Sequence, residues 1–312
     1  SISGYFAGTV TDNDGGGIAS TFSTNSIYVS YSDSMDNGMG VGLTMSVTSA
    51  SITTDINIDT GMGTIGLGTG QDSAVDGMDG SPACFSLNAC GSALSGKDGG
   101  AGLYNDGDTA SGNSIRYSNS IGGVSFAVTR GMEVDSTAAT AGTAQRNDGR
   151  QTDIVAVPAG SDAPEGYTRL MGADATEGHA AVMSYAASAS LMGATVKAGV
   201  SQIDNKGATA DTDPNFVTVG YSLAGLSLGY AMYDGDNGGE ETQMGVGTSL
   251  MGMSVGVTFA DADLATDVDY TMISASKGMG AASFGIDYTE TDVAGTDTGD
   301  SDAWQFTYVV GF

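Results

Sequence analysis

Few residues of this 312-residue chain have types and spacings that could support chemistry. His179 is the only histidine, and no Ser or Cys stands in a recognisable pairing with it, so a general base would have no nucleophile to activate. The stretch GSALSGKD, Gly91 to Asp98, follows a phosphate-binding loop for seven positions. Asp98 then stands where the magnesium-binding Ser or Thr belongs, and no strand-to-helix setting surrounds it, which speaks against nucleotide binding. GGAGLYND approaches a calcium-binding nonapeptide, yet Tyr104 replaces the needed Asp and no repeat follows, so it reads as loop. Asp12 with Asp14, Asp234 with Asp236, and Asp261 with Asp263 offer hard oxygen ligands. Weak Ca²⁺ or Mg²⁺ occupancy is one expectation there, and plain solvation is the other. Cys84 and Cys90 have no nearby His and no second Cys pair, which argues against a structural zinc site. A local disulfide in an oxidising compartment is expected, with two free thiols as the alternative.

The elements that would position these residues follow from composition and periodicity. A formal charge of −28, 50 Gly and only 9 Lys plus Arg are unlike an ordinary soluble enzyme. An apolar fraction of 40%, dispersed along the chain, is equally unlike an acidic disordered one. No apolar run approaches the roughly 18 residues of a spanning helix, and Ser1 reads as a mature N-terminus.

Apolar residues recur at period two, so the chain reads as all-β. In VGLTMSV the stripe is Val41, Leu43, Met45 and Val47, and the other face carries Gly42, Thr44 and Ser46. The same alternation runs through Val124, Phe126 and Val128, through Met244, Val246 and Leu250, and through Trp304, Phe306, Tyr308, Val310 and Phe312. Connections alternate between short turns such as TGMG and KGMG and long acidic loops such as DGDNGGE and DADLATD. Short turns at one rim and longer loops at the other belong to a transmembrane barrel. Counting hairpins gives sixteen antiparallel strands, with both termini on the short-turn rim. A soluble barrel would turn its apolar stripe inward, but a ring of sixteen strands is too wide for side chains to fill. The apolar face therefore meets lipid and the Ser, Thr, Gly and Asp face lines water. Tyr308 and Phe312 would then sit toward the short-turn interface, where aromatic rings are favoured.

The sixteen strands, Phe312 after FTYVVG, the hairpins of SVTSASITTDINIDTGMGTIGLGTG and one oversized loop after the fifth strand resemble the trimeric general porins of Gram-negative outer membranes. The resemblance spans the whole chain as a pattern rather than as residue identities. It implies one porin barrel over residues 1–312, located in the outer membrane. It also implies a homotrimer among lipid and lipopolysaccharide, passive diffusion of small hydrophilic solutes, no nucleic-acid partner and no cofactor. Residues 70–112 would be the third outer loop, folded inside as the constriction, and 132–178 a long outer loop. A terminal aromatic such as Phe312, with Tyr308 before it, would be read by the assembly machinery.

Such porins set acidic loop residues against a basic wall cluster, yet residues 1–96 hold no Lys or Arg. The basic candidates left are Arg116 on the sixth strand, Lys197 on the ninth, and Lys97 within the loop. Against them stand Asp72, Asp76, Asp79, Asp98, Asp106 and Asp108, so the expected channel prefers cations. Two rivals remain open. One is a secreted or surface-located acidic, β-rich adhesive protein, which needs neither alternating connections nor a terminal Phe. The other is an outer-membrane barrel enzyme, which needs His179 in a catalytic role.

Overall fold

A computed structural model describes residues 1–13, 17–21, 26–47, 52–69, 71, 73–75, 78, 80–87, 114–131, 142–146, 154–157, 167–171, 181–204, 213–235, 239–263, 267–294 and 301–311. The first strands are β1 (Ile2–Asn13), β2 (Gly17–Thr21), β3 (Ser26–Ser34), β4 (Gly40–Val47), β5 (Ile52–Asp59) and β6 (Thr64–Gly68). After a long connection come β7 (Ser114–Ile121) and β8 (Val124–Gly131), then the short β9 (Gly142–Arg146), β10 (Ile154–Val157) and β11 (Tyr167–Met171). The rest of the chain is a meander of β12 (Ala181–Leu191), β13 (Ala194–Asp204), β14 (Asn215–Leu223), β15 (Leu226–Asp234) and β16 (Glu240–Leu250). It continues through β17 (Met253–Asp263), β18 (Val268–Met279), β19 (Ala282–Val293) and β20 (Ser301–Gly311). Among the described residues no helix is long and apolar enough to cross a membrane.

Pairing is antiparallel throughout. β1 pairs along its outer half with β2 and at its start with β3, so these two segments act as one second strand. From β3 to β8 each strand pairs with the next. β8 pairs with β12, and β12 to β20 again follow chain order. β20 then pairs with β1 from Tyr5↔Gly311 to Asn13↔Ala303, so the ladder returns to its start after sixteen strand positions. The hairpin turns Met192–Gly193, Ala224–Gly225 and Met251–Gly252 have positive φ at both residues. That is the tight turn whose twist matches the flanking strands, and it explains why this rim stays short.

Alternation along the strands sorts two faces. On β16, Met244 is 56% exposed and Val246 48%, whereas Glu241 and Gln243 just before them are fully buried. On β17, exposed Phe259 stands between buried Thr258 and Ala260, and on β20 exposed Phe306 precedes buried Thr307. An apolar face turned outward and a polar face turned inward is the reverse of a soluble barrel and suits a lipid surround. Cross-strand partners keep this sorting, because residues directly opposite share a face. At the seam, the Tyr308 ring lies over Gly8, its partner on β1, in the space that a side chain there would fill.

The connection from β8 to β12, read from sequence as loop, contains β9, β10 and β11, which form a separate three-stranded sheet in the order β10-β9-β11. These strands run four or five residues, too short for periodicity to separate them from loop.

Candidate pore and constriction

The described part of the loop after β6 lies on the inward face, and the wall beneath it is built to receive it. Gly220, Gly229 and Gly245 stand opposite one another across β14, β15 and β16, and the row continues into Thr258 of β17. Pro82 and Ala83 run over this row so closely that a Cβ at Gly229 or Gly245 would collide with their backbone. Thr258 Oγ1 donates a hydrogen bond of 2.7 Å to the Ala83 carbonyl. One step toward the short turns, the Phe85 ring covers Gly247 and Gly256, which are again direct partners. Leu87 lies over Gly285 of β19. Glycine at these inward positions removes the side chains that would otherwise hold the loop away from the wall.

The loop's beginning is packed as well. Gln71 sits over Gly66 and donates to Asn57 Oδ1 at 3.3 Å. Ala74 and Val75, both fully buried, join an inner cluster with Ala127, Ala186, Phe216, Ala231 and Tyr233. The Ala74 amide donates to Ser184 Oγ at 3.2 Å. Cys84 packs beside Ala260 and Met272. It is disulfide-bonded, and Cys90, the chain's other cysteine, lies outside the described residues.

The opposite wall is open and polar. Thr44, Asp55, Asn57, Thr64, Gly66, Gln71, Arg116 and Ser118 line one recess of about 310 Å³. Arg116 thus falls on the inward face, as its place in the alternation predicts. Lys197 does too, standing opposite Ser188 and buried Thr218. The two are not neighbours, since β8 and β12 lie between their strands. Arg130 is exposed on the outward face of β8.

The expected loop residues Asp72, Asp76, Asp79, Lys97, Asp98, Asp106 and Asp108 lie outside the described residues, as do His179, Phe312, Asp14 and Asp236. Asp12, Asp234, Asp261 and Asp263 are described, and all four belong to the outer ends of their strands. No three His, Cys, Asp or Glu side chains gather into a metal-ligating group among the described residues. Asp234, Glu240 and Asp263 instead form one cross-strand row, and Asp261, Asp269 and Asp292 another. Sequence reasoning missed the inward carboxylates Asp55, Glu241 and Asp287. Asp55 precedes outward Ile56, Asp287 follows outward Ile286, and Glu241 stands an odd three residues before outward Met244, so the parity of the stripes could have located them.

The profile of the Gram-negative porin family matches residues 1–224. No curated protein matches the chain. Among solved structures, a porin refined at 1.8 Å resolution superposes with a TM-score of 0.63 at 15% identity, covering 100% of this chain and 99% of that one. A triple mutant of Rhodopseudomonas blastica porin is similar at TM-score 0.63 and 16% identity, with the same coverage. At such identities these structures speak for the fold, a barrel of the porin type. Profile, outward apolar stripe and inward loop agree: the chain belongs to the Gram-negative porin family, whose members form channels through the outer membrane.

Proposed function

We propose that this porin is a passive, cation-preferring diffusion channel for small hydrophilic solutes, acting without a catalytic step or a cofactor. The observation that carries the preference is the pair of carboxylate rows at the long-loop rim, Asp234–Glu240–Asp263 and Asp261–Asp269–Asp292, neither of which contains a basic residue. Like charges placed directly opposite repel one another, and their summed field attracts cations to the mouth. Divalent ions shared at this rim would be occupants rather than cofactors. The recess beside Asp55 and Arg116 supplies polar wall for the water path.

The working unit is proposed to be a homotrimer in lipid and lipopolysaccharide, a reading supported by family membership and the outward apolar stripe. Sedimentation of monomers alone in mild detergent would contradict it. A Cys84–Cys90 bridge would close a small ring within the constriction loop, and alkylation of two thiols without reductant would contradict that pairing. Selectivity is tested in planar bilayers under a KCl gradient. K⁺ should be preferred over Cl⁻, more strongly in dilute salt, because the Debye length falls from about 30 Å at 0.01 M to about 3 Å at 1 M. Anion preference in dilute salt would overturn the reading.

A further inference from the structure

Beside Ser86 of the loop, one patch of the inner wall holds more oxygens than the protein fully satisfies. Ser274, Asp287 and Gln305 are direct cross-strand partners in a row across β18, β19 and β20. Asp287 is 1% exposed and Ser274 3%. Ser86 of the loop and Ser274 flank the Asp287 carboxylate. The two hydroxyls approach the carboxylate without completing a well-formed hydrogen bond, so that neither Asp287 oxygen nor Ser274 Oγ is fully satisfied, and Gln305 Oε1 has no partner either. The Gln305 amide nitrogen donates to Thr11 Oγ1 at 3.4 Å, on the strand opposite to that of Asp287.

A buried carboxylate that is not fully satisfied is a costly arrangement in a folded chain. Under-satisfied oxygens gathered in one place call for a compensating group. The Lys and Arg residues described on the inward face, Arg116 and Lys197, belong to β7 and β13 and cannot supply it. Directly opposed side chains start about 4.5–5.5 Å apart, so one ion of radius near 1 Å can touch several heads at once. All these atoms are hard oxygens, which select alkali or alkaline-earth cations over softer metals. The patch has a single carboxylate, so a monovalent ion neutralises it, whereas a divalent ion would leave a buried positive charge in its place.

We propose that Asp287, Ser274, Gln305 and the loop's Ser86 hold one Na⁺ or K⁺ ion between wall and loop. The ion fastens this stretch of the loop at the point where Phe85 and Leu87 already lie over glycine. This site is distinct from the outer aspartate rows and does not depend on which ions the channel prefers.

The test uses the full chain, folded in detergent at pH 8 and exchanged into choline chloride with EDTA, since choline is too large for the patch. Choline is then replaced by K⁺ or Na⁺ at constant ionic strength, so that screening stays fixed. The unfolding midpoint of the wild type should rise on the order of 5 °C at a hundredfold excess over the dissociation constant. Asp287→Asn should remove that rise, and Ser86→Ala should move it to higher ion concentration. No response in the wild type would mean that Asp287 is a neutral acid, and would overturn the proposal. An equal response in Asp287→Asn would overturn it too, by placing the effect at the rim, and a response to Ca²⁺ alone would overturn the monovalent assignment. If Asp287→Asn does not insert, wild-type crystals grown in Rb⁺ decide the matter. An anomalous peak within about 3 Å of the Asp287 carboxylate supports the site, and its absence overturns it.

Discussion

Two stretches of the same inner wall obey one alternation and do opposite things. From β14 to β19 the inward positions include Gly220, Gly229, Gly245, Gly247, Gly256 and Gly285, and the loop lies against them. From β4 to β7 the inward positions include Thr44, Asp55, Asn57, Arg116 and Ser118, and they face an open recess. Strand geometry decides only which residues point inward. Their size decides whether that surface receives protein or water. Glycine inside a strand is ordinarily a cost, but here it gives a floor on which a neighbouring backbone can rest.

Substitutions can break the contrast from either side. Gly245→Leu should have the largest effect, because any side chain there meets the Ala83 carbonyl and the Phe85 ring. Overpacking of this kind costs about 1–3 kcal/mol, and the loop should lift. A lower unfolding midpoint and faster liposome swelling with larger sugars are expected, and unchanged values for both would mean that the loop does not rest there. Thr258→Val keeps the shape but removes the donor to the Ala83 carbonyl, and should cost about 1–2 kcal/mol in thermal or denaturant unfolding. Gly42→Ala on the open wall is the counterpart of the first change. A Cβ there finds its nearest neighbour at 3.9 Å, so stability should hold or rise by up to about 1 kcal/mol. Destabilisation comparable to that of Gly245→Leu would erase the distinction between the walls. Arg116→Gln should cost at most about 1 kcal/mol, because interactions of a side chain in an open polar recess are screened by water. Its reversal potential should nevertheless move toward stronger cation preference, and a move toward anions would show that Arg116 does not act on the water path.

The barrel was legible in the sequence because its two signals, period-two stripes and alternating connection lengths, are local. The inward sides of Arg116 and Lys197 followed from the same parity. The docking floor was not legible, because Gly220, Gly229 and Gly245 lie in different strands and become a row only once the register is set. Asp287 escaped notice for a related reason. Between Ile286 and Tyr288 it reads as one more water-facing carboxylate, yet it is buried, with Ser86 of the loop and Ser274 of the neighbouring strand beside it. Sequence placed the constriction's charge on loop aspartates beyond the described residues, while Asp55, Glu241 and Asp287 on the wall drew no attention.

The contrast between the walls is tested most directly by cysteine accessibility in single channels. Ser118→Cys would place a thiol on the open wall and Thr258→Cys one beneath the loop. A charged methanethiosulfonate reagent, added to the bathing solution, should react with the Ser118→Cys channel and lower its conductance in discrete steps. The Thr258→Cys channel should be left unchanged. Equal reaction at both positions, or reaction only at Thr258→Cys, would contradict the account.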